Sequence, residues 1–193
     1  PPTSWLSGYA IDPHPQTPHA VLFVTISPKN EVFVYDEIFE KSLISELAES
    51  ILWRRNKVRC GWELCDPFAW INNPDTDSCW ANTLMEYGLN IIRASKEKKA
   101  GIIQTQQIFS PNSSVKVKVM PHCQRFRKEI KSYFFDKENK PVDKDDHMME
   151  CLYRTVIHTG LRWYPDLRNA KPFKTKDDFS YVGHEINFKD NSL

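Results

Sequence analysis

Three aspartates lie at points where the sequence pattern changes. Asp12 and Asp66 each follow a mainly apolar run and precede a proline, and Asp146, with Asp145 beside it, opens an apolar helical pattern. Carboxylates that lie close together repel one another unless cations neutralise them, and their oxygens are ligands that Mg²⁺ and Mn²⁺ prefer. If folding brings these side chains together, they suggest metal-assisted hydrolysis of a phosphodiester.

Each aspartate taken alone also has a simpler interpretation. An aspartate before a proline is a common turn former, and an aspartate at the start of a helix commonly caps its N-terminus. His147, beside Asp146, could donate to a phosphate, or it could be an exposed residue in the first turn of a helix. It is the occurrence of the aspartates at three element ends that favours a metal site.

The elements that must position these aspartates follow a mixed order. The periods of the apolar residues predict strands over residues 4–11, 19–27, 31–38, 59–65, 89–92 and 115–119. They predict helices over residues 41–55, 78–87, 98–109 and 121–133, and a last helix that begins at Asp145 or Asp146. We expect an α/β fold with a mixed β-sheet and helices on both faces, an order found in the ribonuclease H-like fold among others.

The charges of the chain are unevenly distributed. Residues 1–92 hold 6 Lys and Arg against 12 Asp and Glu, which gives −6, and the remaining 20 basic and 13 acidic residues give +7, for the net charge of +1. An acidic half next to a basic half suits a protein that binds metal cations beside a polyanion. The candidate DNA-backbone contacts, which could equally be a solvated face, are Lys96, Lys98, Lys99, Lys116, Lys118, Arg125, Arg127, Lys128 and Lys131.

The composition excludes several other classes. The mean hydropathy is −0.54, and the lack of an apolar run of about 18 residues argues against a membrane span. Five cysteines without CxxC spacing predict neither a disulfide framework nor a cysteine zinc site, and a reducing compartment fits better. Because the chain starts without methionine, we expect it to be part of a longer protein. Within the chain we expect a domain over residues 1–163 and a tail over residues 164–193.

Several segments resemble the nuclease domain of tailed-phage terminase large subunits. Residues 144–154 (KDDHMMECLYR) resemble the family's late Asp-His-x-x-Asp-Ala-x-Arg-Tyr type of signature, with Glu150 where the family often has Asp. Residues 8–12 (GYAID) and 34–37 (VYDE) look like its first strands, and residues 65–71 (CDPFAWI) look like its second acidic motif. The resemblance covers roughly residues 4–158 and implies a ribonuclease H-like endonuclease.

The resemblance also implies roles for particular residues. Asp12, Asp66 and Asp146 would be catalytic carboxylates that hold two Mg²⁺ or Mn²⁺ ions, with Asp145 as a further or alternative ligand. The implied function is cutting double-stranded viral DNA during genome packaging, in the host cytoplasm on the procapsid. The implied partners are DNA, an ATPase domain of the same protein, the portal and the small terminase subunit. The chain has no GxxxxGK[ST] motif, so we expect it to cut DNA without hydrolysing ATP.

Two other functions agree with the same residues. A junction resolvase or an RNA–DNA hybrid nuclease would keep the fold and change the substrate. A non-catalytic DNA-binding module of the packaging motor would use its carboxylates only as caps, and its DNA binding would not respond to metal.

Overall fold

A computed structural model describes residues 1–2, 4–58, 60–72, 78–132 and 146–161. Its strands are β1 (Leu6–Asp12), β2 (His19–Ile26), β3 (Glu31–Glu40), β4 (Cys60–Cys65), β5 (Ile92–Arg93) and β6 (Lys116–Val119). Its helices are α1 (Ile44–Arg55), α2 (Trp80–Glu86), α3 (Lys98–Ile108), α4 (Gln124–Ser132) and α5 (His147–Thr159), with a 3-10 turn at Pro67–Trp70. The predicted tail and Asp145 lie outside the described residues.

The strands form one mixed sheet in the order β5-β4-β1-β2-β3-β6. The neighbours β1, β2 and β3 pair antiparallel, whereas β4 pairs parallel with β1, and β5 and β6 pair parallel with β4 and β3. Every residue of β1 and β2 is buried, as expected for central strands covered on both faces. The prediction of an α/β fold with a mixed sheet is confirmed.

Helices cover both faces of the sheet. Tyr9 and Ile11 of β1 pack in one apolar cluster with residues of α1 and α2. Because successive side chains of a strand point to opposite faces, Ala10 and Asp12 face the other side, where α5 lies over β1 and β2. The parity of β1 therefore directs Asp12 towards α5.

Helix α5 is held in place by helices α3 and α4. A Cβ atom added to Gly101 of α3 would lie 2.8 Å from side-chain atoms of Tyr153 and Ile157, so a residue without a side chain lets α3 approach α5 closely. On the other flank, the Glu129 carboxylate of α4 accepts hydrogen bonds from the backbone N–H groups of Met148 (2.7 Å) and Met149 (3.3 Å). The first turn of α5 is thereby fixed over the sheet.

The predicted elements are observed with bounds within three residues of those predicted, and the helix predicted from residue 41 begins at Ile44. The short strand predicted at 89–92 is observed at Ile92–Arg93. The helix predicted from residue 121 begins at Gln124, because a turn at Pro121 and His122 precedes it.

Within the described part of the chain, no helix combines the length and apolar character that a membrane crossing needs.

Candidate acidic metal site

The first two aspartates lie side by side at the carboxyl ends of β1 and β4. Asp12 is the last residue of β1, and Asp66 directly follows β4. The Asp66 N–H donates to the carbonyl of Ile11 at 2.9 Å, which continues the parallel pairing of the two strands. The fold therefore places both carboxylates at one edge of the sheet, where two neighbouring parallel strands end.

A third carboxylate reaches this edge from α5. Ligand atoms of Asp12, Asp66 and Glu150 all lie within 4.8 Å of one another, and we call these three residues the acidic cluster. Glu150 occupies the first turn of α5, one helical turn after Asp146. A divalent cation with metal–oxygen distances of about 2.0–2.6 Å can be reached by three oxygens so arranged.

Asp146, which the sequence predicts as the third ligand, lies beside the acidic cluster and is not a member of it. The Lys98 Nζ atom of α3 joins the two, at 3.3 Å from Asp146 Oδ2 and 2.7 Å from Glu150 Oε1. Asp146 precedes α5 at the N-cap position but makes no side-chain capping hydrogen bond. The side chain of Asp146 therefore does not cap the N-terminus of α5.

Arg154 lies among the three members of the acidic cluster. Its Nη1 atom is 3.2 Å from Asp12 Oδ1, and its Nη2 atom is 2.6 Å from Glu150 Oε2 and also contacts Asp66 Oδ2. Only 5% of Arg154 is exposed. Burial alone would raise the pKa of Glu150, but the cations Arg154 and Lys98 lower it below its usual value.

His147 links the cluster to the loop that follows β1. Its Nδ1 atom lies 2.9 Å from Asp12 Oδ2, and its Nε2 atom lies 3.3 Å from the hydroxyl of Thr17. The ring of His14 contacts that of His147 edge-on, with centroids 5.4 Å apart. The hydrogen bond to Asp12 raises the pKa of His147 against the opposing effect of burial.

The predicted DNA-contacting residues fall into three groups. Lys98 and Arg125 form ion pairs with acidic side chains, Lys98 at the acidic cluster and Arg125 with the buried Glu129 at 2.6 Å. Lys118 is exposed but pairs with Glu31 at 2.8 Å. The remaining residues, all exposed, are Lys96, Lys99, Lys116, Arg127, Lys128 and Lys131.

The sequence-based prediction does not include the contacts that four residues make around the aspartates, namely Glu150, Arg154, Lys98 and Glu129. One signal was available for the first two. Glu150 and Arg154 are opposite charges four residues apart on a helix whose neighbouring positions are mostly apolar, so they share a face and are largely buried with it. Buried charges are rare unless they are paired, which makes such a pair a candidate site.

The fold is that of phage large-terminase nuclease domains, a ribonuclease H-like fold. The P22 large terminase nuclease domain superposes with a TM-score of 0.68 at 13% identity, over 86% of this chain and 88% of that one. The large terminase from a thermophilic bacteriophage, in complex with ADP, gives a TM-score of 0.63 at 16% identity. That match spans 82% of this chain but 40% of the thermophilic phage chain.

Sequence comparison adds no further relatives. No protein-family profile matches the chain, and no curated protein matches it. The similarity therefore establishes the fold alone.

Proposed function

We propose that this chain is a metal-dependent endonuclease domain that cuts double-stranded viral DNA during genome packaging. The observation that carries the proposal is the convergence of Asp12, Asp66 and Glu150, from two strands and a helix, within 4.8 Å at one edge of the sheet. The likeness in fold to large-terminase nuclease domains supports the substrate. We further propose an ATPase domain of the same protein, the portal and the small terminase subunit as its partners, in the host cytoplasm.

The chemistry of the donor set fits Mg²⁺ or Mn²⁺. Carboxylate oxygens are hard ligands, and the acidic cluster contains neither a thiolate nor an imidazole that would favour a softer metal. Asp12, Asp66 and Glu150 would hold the metal, and Asp146, joined to Glu150 through Lys98, would extend the set towards a second ion. When bound, such ions polarise a phosphoryl oxygen and lower the pKa of a water molecule. Asp145 remains a predicted alternative ligand.

Neighbouring groups orient the carboxylates of Asp12 and Asp66. His147 contacts one oxygen of Asp12, and the backbone N–H of Phe68 donates to one oxygen of Asp66. Both contacts fix the rotation of a carboxylate whose other oxygen faces the cluster. Such outer contacts hold the ligand set in place for a phosphate that approaches the sheet edge.

The exposed basic residues would contact the DNA backbone. Phosphate contacts from lysine and arginine fix the position of a duplex without reading its sequence. We propose this role for Lys96, Lys99, Lys116, Arg127, Lys128 and Lys131, with Lys118 contributing less because it pairs with Glu31. Lys98 and Arg125 serve their acidic partners instead.

The direct test is cleavage of supercoiled plasmid in Mn²⁺, in Mg²⁺ and in a chelator. We expect nicking that requires the divalent ion and falls by about a thousandfold in Asp66→Asn, since metal assistance supplies several kcal/mol. The matched control is Asp36→Asn. Asp36 is a half-buried carboxylate that pairs with Arg54 at 3.1 Å, and Arg54 is not a partner of the acidic cluster. Cleavage that persists in Asp66→Asn at the wild-type rate would contradict the proposal.

The choice of substrate distinguishes the alternatives. We expect linear and supercoiled duplex DNA to be cut in preference to a four-way junction or an RNA–DNA hybrid. A preference for the hybrid or the junction would keep the chemistry and reject the packaging role. DNA binding that is unaffected by metal, with no cleavage in Mn²⁺, would favour the non-catalytic module.

A further inference from the structure

Every carboxylate oxygen of the acidic cluster already has a hydrogen-bond partner. Arg154 is the partner of three of the six oxygens, one from each carboxylate. The other three oxygens contact His147, the backbone N–H of Phe68 and the Lys98 ammonium. The three carboxylates therefore converge on Arg154, and each of their other oxygens has a separate partner.

An arginine in this place conflicts with a metal ion that uses the same oxygens. A metal ligated by these carboxylates would lie close to the guanidinium, and at such separations two cations repel each other strongly inside a protein. Arginine cannot relieve the repulsion by losing its proton. It must either move or weaken the binding of the ion.

We propose that Arg154 is an internal counter-ion that occupies the metal position in the metal-free protein and is displaced when a divalent ion binds. This inference rests on the proposed function, because it takes the acidic cluster to be the metal site. In the metal-free state Arg154 keeps three carboxylates together that would otherwise repel one another. In exchange, the protein binds the ion less tightly than the carboxylates alone would.

The proposal assigns Arg154 a role that differs from that of a structural ion pair. If Arg154 only positioned the carboxylates, its loss would disorganise the ligands and weaken metal binding. If Arg154 competes with the ion, its loss strengthens metal binding while it destabilises the metal-free protein. The sign of the change in metal affinity therefore separates the two roles.

The experiment measures the dissociation constant for Mn²⁺ by calorimetry at neutral pH on the wild-type chain, Arg154→Met and Arg154→Lys. We expect Arg154→Met to bind Mn²⁺ more tightly by about 5- to 150-fold, the usual range of a coupling between two binding events. Arg154→Lys keeps the charge but loses the fork of donors, so its affinity for Mn²⁺ should lie between those of the wild type and Arg154→Met. The matched control is Arg54→Met, which breaks the ion pair with Asp36 away from the cluster and should leave the Mn²⁺ affinity unchanged.

Thermal unfolding provides a second readout that does not depend on activity. In a chelator the Arg154→Met protein should unfold at a lower temperature than the wild type, and Mn²⁺ should raise its midpoint by more than it raises that of the wild type. If the variant is unfolded in the chelator, Mn²⁺ should restore its folding. Arg154→Met that binds Mn²⁺ as weakly as the wild type, or more weakly, overturns the proposal. If the wild-type chain and both variants bind no Mn²⁺, the acidic cluster is not a metal site, and the proposed function fails with it.

Discussion

Two largely buried glutamate–arginine pairs, one on α4 and one on α5, have the same spacing and different surroundings. Arg125 and Glu129 on α4 lie four residues apart with a nitrogen–oxygen distance of 2.6 Å. Glu150 and Arg154 on α5 have the same separation in sequence and the same distance. By sequence spacing alone the two pairs are equivalent.

The partners of the two glutamates differ in kind. Besides Arg125, Glu129 accepts hydrogen bonds from the backbone N–H groups of Met148 and Met149, and it is 1% exposed. Glu150 is held by two side-chain cations, Arg154 and Lys98. Backbone donors of a helix cannot move away while the helix persists, whereas side-chain cations can. The comparison indicates that Glu129 is a structural carboxylate and Glu150 an exchangeable one.

The largest expected effect is on cleavage by Glu150→Gln. An amide binds a divalent cation more weakly than a carboxylate does, so we expect Mn²⁺-dependent nicking to fall by about a thousandfold. Glu129→Gln, a change of the same kind in the other pair, should retain Mn²⁺-dependent nicking under conditions in which it is folded. Equal losses of activity in the two variants would remove the distinction between the pairs.

For the stability of the metal-free protein we expect the opposite order, with the larger loss in Glu129→Gln. Glu129→Gln removes the buried charge that pairs with Arg125 and weakens the hydrogen bonds that cap α5, so it should lower the free energy of unfolding by about 3 kcal/mol. Glu150→Gln should cost less, because Arg154 still contacts Asp12 and Asp66. Urea unfolding in a chelator measures both. A larger loss in Glu150→Gln would show that the acidic cluster is the more structural of the two.

The C-terminal end of α5 holds a histidine, His158, whose pKa is lowered by burial. Burial lowers the pKa of His158 from 6.5 to about 4. Between these values the unfolded chain takes up a proton that the folded chain does not, so the stability contributed above pH 6.5 is lost as the pH falls towards 4. Because the side chain is partly exposed, we expect a loss of about 2 kcal/mol, less than the full shift would give.

The measurement is the free energy of unfolding in a chelator, for the wild type and for His158→Gln, at pH values on both sides of this window. The variant should lose less stability on acidification than the wild type does. If the two proteins lose the same amount, His158 is not the source of the pH dependence.

The sequence indicates that Asp12 and Asp66 each close a strand, and the parallel pairing of β1 with β4 brings the two together. Both aspartates end buried strands, and the ends of neighbouring parallel strands meet at one edge of a sheet. The position of the third carboxylate depends instead on how far α5 is shifted along its axis over the sheet. Asp146 and Glu150 differ by about 6 Å along that axis, and the shift is set by Glu129 and Gly101 on other helices. Contacts between distant elements of this kind leave no local pattern in the sequence.

The smallest expected effects concern the exposed basic residues, and they extend the comparison from buried to exposed charges. Lys128 is exposed on α4, whereas Lys118 is exposed on β6 but paired with Glu31 at 2.8 Å. If both lysines contact phosphates, Lys128→Ala should weaken DNA binding and reduce the slope of log affinity against log salt by about one. Lys118→Ala should reduce the slope by less, because Glu31 already neutralises part of its charge. The measurement is a salt series of DNA affinity in the Asp66→Asn background, where cleavage does not interfere. A slope that changes equally in both variants would mean that Lys118 leaves Glu31 when DNA binds, and that exposed ion pairs of this domain exchange partners as readily as we propose for Arg154.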